Sequence, residues 1–401
     1  MNEVLKNQVD YEKKQKGGAL ISEGGYGCIF YPSIKTKENH KYVSKIQKNN
    51  FDSHNEAYIG NILKNVHSYL NHFVPVLDSD EINIKKIEDG DVDNCTIFMK
   101  YKDTPFINMK IRYVNGTNFL DYIVNNKSSS FNFVKLLVNS YNHLLNTIGL
   151  LVDLKIVHYD LKGNNIMFDN SNQLPLILDF GLSIKMDKIK QENLTKHFYT
   201  YAPEYSPWAL EIHYINFLLK VNPNPSIKDL EEMARRFVNS ETNPVSIVFS
   251  KEFVINYEKT CLNQLKKYNK IPTLEKKLST IYKYFDTWDN YALSIIYITI
   301  FHFIYPSFKK NNFIEIIVTL LLQNIHPDPE KRLKIMETKC LFNKKLLDFV
   351  NNVENYKFIK NINSDFIENK SKFKSKAQRF NNAMDTVAKT ISKTSKNRKI
   401  S

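Results

Sequence analysis

The sequence predicts an α+β chain, in which short strand signals and long helical patterns both occur. Three observations predict this. The run Ile21-Ser22-Glu23-Gly24-Gly25-Tyr26-Gly27-Cys28-Ile29-Phe30 reads as strand, turn, strand, because clustered glycines free the backbone to reverse between apolar ends. Between Phe131 and Asp153, apolar residues recur at Val134, Leu137, Tyr141, Leu144, Leu145, Ile148 and Leu151, the spacing of a long buried helix. The apolar run Ala292 to Tyr305 is too short to cross a bilayer and reads as a buried central helix.

The glycine census sharpens the first element. Only 11 of 401 residues are glycine, against the usual ~7%. Five of them lie between Gly17 and Gly27, and none follows Gly181. Glycine lets a backbone approach phosphate groups and take positive φ without a Cβ clash, so this loop is a candidate phosphate cover. The loop alone is a weak signal. No G-x-x-x-x-G-K-[ST] run occurs, which disfavours a Walker-type NTPase.

Val43-Ser44-Lys45-Ile46 alternates as a strand does, and Asn55 to Leu63 has the apolar spacing of a helix carrying Glu56. A single lysine in so lysine-rich a chain is ordinarily solvated; the place of Lys45 after the glycine loop sets it apart. Met109 to Gly116 reads as a strand ending at a turn, and Asn118 to Ile123 begins a helix.

The most informative stretch follows the long helix. His158-Tyr159-Asp160-Leu161-Lys162-Gly163-Asn164-Asn165, then Asp179-Phe180-Gly181, orders a carboxylate, a lysine, an amide and a second carboxylate. Leu174 to Leu178 reads as a short buried strand that would hold Asp179 rigidly. Taken singly, Asp160 would be a surface or capping carboxylate and Asn164-Asn165 a turn signal. The ordered set has a different meaning. Transfer of a phosphoryl group asks a protein chiefly to position reactants and neutralise spread charge, and these residue types do that.

In this order the segments resemble a eukaryotic-type protein kinase, from about residue 20 to about residue 345, and Lys162 resembles the serine/threonine branch. The resemblance implies a bilobal fold, a small antiparallel β lobe with one helix joined to a larger helical lobe, with ATP between them. The implied boundaries are an N-terminal extension over 1–19, a small lobe over 20–114, a large lobe over 115–350 and a C-terminal segment over 351–401. Gly24, Gly27 and Ile29 meet the family's glycine-loop pattern, with Ser22 where its first glycine belongs. By the same resemblance, residues from Ile21 to Ile29, including Glu23, Gly25, Tyr26 and Cys28, would cover the ATP phosphates. Lys45 would bind the α- and β-phosphates and pair with Glu56. Ile111 would guard the adenine pocket, and Arg112 to Val114 would offer backbone hydrogen bonds to adenine. Asp160 would orient a Ser/Thr hydroxyl, Lys162 would sit beside the γ-phosphate, and Asn165 and Asp179 would hold Mg²⁺. Gly60 stands where the family carries a bulky apolar residue.

Tyr201-Ala202-Pro203-Glu204 matches the family's A-P-E, so the implied activation segment runs from Asp179 to Glu204. Its polar middle, Lys185 to Lys196, is expected to be mobile. Tyr159 replaces the family's arginine, which removes the usual cationic partner of a loop phosphate; activity is therefore expected without phosphorylation of this segment. Asp289 would bond the catalytic-loop backbone, and Arg332 would pair with Glu204. Residues from about 206 to 284 form an insertion, a substrate- or partner-binding element or added packing. The loop through Pro32 and the Asn/Lys/Ile-rich composition are similar to kinases of large cytoplasmic DNA viruses. A small-molecule kinase and an inactive kinase-like scaffold are the alternatives, disfavoured by Ala202-Pro203-Glu204 and by the complete set Lys45, Asp160, Asn165 and Asp179.

The net charge is +14, and Lys370 to Ser401 holds ten Lys/Arg against a single acidic residue, Asp385. This tail is expected to be disordered, and it could contact nucleic acid or anionic surfaces. Cys28, Cys95, Cys261 and Cys340 are scattered with no C-x-x-C, so neither a zinc site nor a disulfide framework is expected, and a reducing compartment fits. A cytoplasmic monomer without a signal peptide or transmembrane segment, acting on protein substrates, completes the expectation.

Overall fold

The computed structural model describes residues 18–24, 27–34, 39–84, 91–101, 104–125, 130–304 and 312–350, with short helical pieces between 375 and 387. Gly25, Tyr26 and most of the basic tail lie outside the described residues. The fold is α+β, rich in antiparallel strands in its first part and helical in its second. Two compact units divide the described residues: those up to Asn115 with Asp179–Gly181, and Gly116–Leu178 with those from Leu182 onward.

In the first unit, strands β1 (Ala19–Glu23), β2 (Gly27–Tyr31), β3 (Tyr42–Lys48), β5 (Val76–Ile82) and β6 (Phe106–Arg112) form a sheet, with β4 (Phe73–Val74) preceding β5. The sheet order is β1-β2-β3-β6-β5, all neighbours antiparallel. Side chains alternate between faces along each strand. Cys28, Phe30, Ile46, Ile82 and Phe106 therefore share one face, where they pack with Cys95, Ile97 and Phe98. Lys45 pairs with Met109 and Val43 with Ile111 on the opposite face, where Val76, Met109, Ala57 and Ile111 meet.

The helix Phe51–Leu63 covers that second face. Its start is fixed by a reciprocal cap: Ser53 N–H donates to Asn50 Oδ1 (3.1 Å) and Asn50 N–H to Ser53 Oγ (3.0 Å). Gly60 explains its own departure from the family. A Cβ there would lie 2.5 Å from the Val76 carbonyl oxygen, so a side chain would push the helix off β5. Glycine lets the two backbones touch.

The disulfide expectation is corrected. Cys28 and Cys95 are bonded, 67 residues apart and both fully buried; Cys261 and Cys340 remain thiols. The bond ties β2 to the short helix Thr96–Lys100.

The second unit is mainly helical. Its centre is Trp288–Ile304, flanked by Ser130–Asp153, Asn312–Asn324 and Ile335–Val350. Tyr141 lies edge-on to Tyr297 and Phe342 at 4.7 and 4.8 Å between ring centres, aromatic geometry that adds to plain burial. Strands β7 (Gly116–Asn118), β9 (Ile166–Asp169) and β10 (Leu174–Leu178) pair antiparallel. Between β7 and β9 in the chain comes β8 (Ile156–Val157), which pairs with β11 (Ile184–Lys185). The stretch expected to be mobile is structured: β11 is followed by a single turn at Met186–Lys188 and the helix Leu194–His197, whose Leu194 and His197 are buried.

The expected Arg332–Glu204 pair is replaced by another. Arg332 forks onto Glu211, Nη1 to Oε1 at 2.6 Å and Nη2 to Oε2 at 2.9 Å, with both side chains fully buried. Glu211 lies in the first turn of the helix Leu210–Lys220. Arg332 thus secures the chain at residue 211, and beyond this helix lies the rest of the 206–284 stretch expected to be an insertion. It comprises Ile227–Val238, Pro244–Val248, Lys251–Asn269 and Leu274–Tyr282. It is joined to the unit by Tyr257 Oη donating to the Ile325 carbonyl (2.6 Å) and by Lys267 to Asp328 (3.0 Å). Among the described residues, no helix is long and apolar enough to cross a membrane.

Candidate active site

Each unit carries its own set of polar groups. In the first, Lys45 Nζ lies 2.8 Å from both Glu56 carboxylate oxygens and 2.9 Å from Asp179 Oδ1. Burial alone would lower the Lys45 ammonium, but the Asp179 and Glu56 carboxylates outweigh it and hold the group above its ordinary value. Burial pushes the Glu56 carboxyl up to about 7, against the pull of Lys45. The helix also grips the chain around Asp179: Asn55 Nδ2 donates to the Gly181 carbonyl (3.0 Å), and Phe180 sits edge-on to Phe73 at 5.9 Å. Asp179 itself takes φ 66°, a left-handed conformation unusual for a side-chain-bearing residue. That conformation is held by the contacts of its own carboxylate and of its two neighbours.

The glycine loop is only partly as expected. Gly24 N–H donates to the Gly27 carbonyl (2.9 Å). Ser22 pairs with Ile29 across a β-bulge, and Ile21 is exposed. Ile29 shares the Lys45 face through the pairing of β2 with β3. Cys28 does not: its side chain faces the core on the far side of the sheet and is spent in the disulfide. Glu23 pairs with Cys28 on that same far face and accepts a hydrogen bond from Thr96 Oγ1. In the segment Arg112–Val114, the Tyr113 N–H already donates to the Lys41 carbonyl (2.9 Å), and the Arg112 guanidinium donates to the Leu70 carbonyl (3.0 Å). Val114 is buried.

In the second unit, Asp160 is the hub. Lys162 Nζ approaches its Oδ2 at 3.1 Å. Asn165 Nδ2 donates to Asp160 Oδ2 at 2.9 Å and to the Asp160 carbonyl at 2.8 Å. Both amide hydrogens being used in this way, the Asn165 carbonyl oxygen is turned away from Asp160, as a metal ligand requires. Asn165 in this unit offers a neutral hard oxygen and Asp179 in the first an anionic one, each the type of donor that suits Mg²⁺. Asp289 holds the loop from beneath, accepting from the His158 and Tyr159 amides at 2.7 and 3.2 Å, as the sequence suggested. His158 Nε2 contacts the Leu178 carbonyl at 3.0 Å, tying the loop to β10.

Tyr159, standing where the family has arginine, is buried at φ 69°. Its ring packs against Phe198 and Trp208, at 5.9 and 4.8 Å. Its carbonyl accepts from the Trp208 indole N–H (2.7 Å), and its hydroxyl from Asn216 Nδ2 (3.1 Å). Two residues went unrecognised in the sequence. Tyr205, fully buried, donates its hydroxyl to Asp160 Oδ1, and Glu211 holds Arg332. Nothing in the spacing of Tyr205 marks it. Glu211 was hidden by the better local match of Tyr201-Ala202-Pro203-Glu204.

Comparison with known proteins agrees with this geometry. The chain is 25% identical over 158 residues to a probable serine/threonine-protein kinase, fnkB, of Dictyostelium discoideum, an alignment covering 37% of this chain and 28% of that relative. The chain thus matches less than a third of the relative's length. The family described as the protein kinase domain matches residues 16–340. A match of that extent, over a chain whose lysine–glutamate pair and catalytic loop are assembled as described, means that this protein belongs to the protein kinase domain family.

Proposed function

We propose that the chain is a serine/threonine protein kinase that transfers the γ-phosphate of Mg-ATP to hydroxyl groups of protein substrates. The observation that supports this best is the Asp160 carboxylate, buried and bonded to both Lys162 and Asn165. Asp160 accepts the proton of the attacking hydroxyl and aligns its oxygen. Lys162 offsets charge on the group in transit. Lys45, kept cationic by Glu56 and Asp179, binds the α- and β-phosphates. Glu56 stops Lys45 from following Asp179 alone. Asn165 and Asp179 are the residues that would each ligate Mg²⁺, which would supply charge neutralisation for the phosphate oxygens. The apolar surroundings of Tyr159 give the activation segment an anchorage that needs no phosphate.

The test is Mg²⁺-dependent transfer of labelled γ-phosphate to a mixed protein substrate, wild type against Asp160→Asn. Labelled phosphoserine or phosphothreonine that falls by about 10²–10⁴ in the variant supports the reading. No transfer by either protein, with ATP binding intact, overturns it in favour of a scaffold. Phosphatase-treated wild type should keep its turnover.

A further inference from the structure

The inserted helices reach the residue next to Tyr205. Ile227–Val238 starts at a reciprocal Ser226–Asp229 cap and presents Arg236, whose Nε donates to Glu204 Oε1 at 2.9 Å while Nη2 donates to the same oxygen. Beyond the helix, Ser240 Oγ donates to the Glu204 carbonyl at 3.0 Å, and Thr242 Oγ1 donates to the same carbonyl. Ser240 and Thr242 are both buried. The turn that carries them is braced by a further buried side chain. Asn243, fully buried, donates to the Phe237 carbonyl (2.8 Å) and caps the following helix at Val245 N–H (3.0 Å). Glu204 is thus held at side chain and backbone by one inserted element, and the adjoining residue bonds the Asp160 carboxylate. Trp208 completes the docking through the Tyr159 carbonyl.

We propose that the insertion is an intramolecular activator. Arg236, Ser240 and Thr242 are positioning residues that fix Glu204, and through it Tyr205, so that Asp160 is held ready for an incoming hydroxyl. The insertion takes over the ordering that a phosphate on the segment would supply, in a chain whose catalytic loop has Tyr159 in place of a cation. A small displacement of a catalytic group is costly to rate while leaving remote binding intact. The fixed carbonyl of Glu204 is the lever. This inference rests on the kinase reading above.

The experiment compares wild type with Ser240→Ala/Thr242→Val, which removes both hydroxyl donors at nearly constant volume, with Thr242→Ser, which keeps both, and with Arg236→Gln. Arg236 is about 40% exposed, so its replacement does not threaten folding. Turnover, KM for ATP, KM for the protein substrate and melting temperature are measured on the full chain. The double variant should lose about tenfold to a hundredfold in kcat with KM for ATP unchanged. Arg236→Gln should lose less in kcat, again without a change in KM for ATP, and Thr242→Ser should match wild type. Wild-type kcat in both the double variant and Arg236→Gln overturns this inference alone. A wild-type protein that transfers no phosphate removes the kinase reading, and this inference with it.

Discussion

Glu211→Gln is the sharpest perturbation of the large unit. It preserves shape but withdraws the charge facing Arg332. Glu211 accepts from Arg332 Nη1 at 2.6 Å, from Nη2 at 2.9 Å and from the Trp288 indole at 3.0 Å, and neither charged side chain is exposed. Removing one partner of a buried ion pair costs about 3–5 kcal/mol, because the other charge stays buried and uncompensated. For a unit of this size each kcal/mol moves the melting temperature by about 2–4 °C, so a drop of about 6–20 °C is expected. Glu204→Gln makes the contrast. Its pair with Arg236 is about 40% exposed on each side, and such pairs contribute about 0–1 kcal/mol. That variant should melt close to wild type while losing turnover. Scanning calorimetry of the two variants decides the matter, and the double replacement Glu211→Met/Arg332→Met should recover most of the stability. Glu204→Gln melting as low as Glu211→Gln would refute the assignment of Glu211 as the buried partner.

Three other outcomes follow from contacts in the first unit. The Glu56 carboxyl, raised to about 7 from 4.5, gains a proton as pH falls through 7, so Lys45 loses one of its anionic partners. The folded chain holds that proton more tightly than the unfolded one, so this group's stabilising effect declines between pH 4.5 and 7 while activity rises; a pH–rate profile should show an acid limb near 7 that vanishes in Glu56→Gln. Cys28→Ser/Cys95→Ser opens a loop closed across 67 residues and should cost about 2–4 kcal/mol, read from denaturant unfolding beside a peptide map of the unreduced protein. Gly60→Leu places atoms where the Val76 carbonyl already lies; about 1–3 kcal/mol of strain is expected, with weakened ATP binding seen by titration calorimetry.

The sequence revealed what depends on order along the chain and concealed what depends on distance across it. Lys45, Glu56 and the catalytic loop were legible because each belongs to a segment of fixed spacing, and the Asp289 contact followed from the loop it supports. The Arg332 partner was misplaced because a local A-P-E match outweighed any information on burial, and only packing distinguishes Glu204 from Glu211. The Cys28–Cys95 bond left no spacing signal, since three strands and a helix lie between its ends. Cys28 and Glu23 were assigned to the phosphate loop from their positions in the run, but the strand's two-residue alternation sends their side chains to the far face. Gly60 looked like a defect until the Val76 backbone was seen beside it.

The Tyr159 cluster has one more consequence. A joint closed by edge-on and tilted rings, an indole N–H and an amide N–H is built from groups without formal charge, which dissolved salt does little to shield. High ionic strength should leave it shut, whereas cold, which weakens apolar association, should loosen it. The contacts drawn around Tyr159 use no phosphate, so a phosphatase has nothing to remove from them, and they should last as long as the packing that makes them.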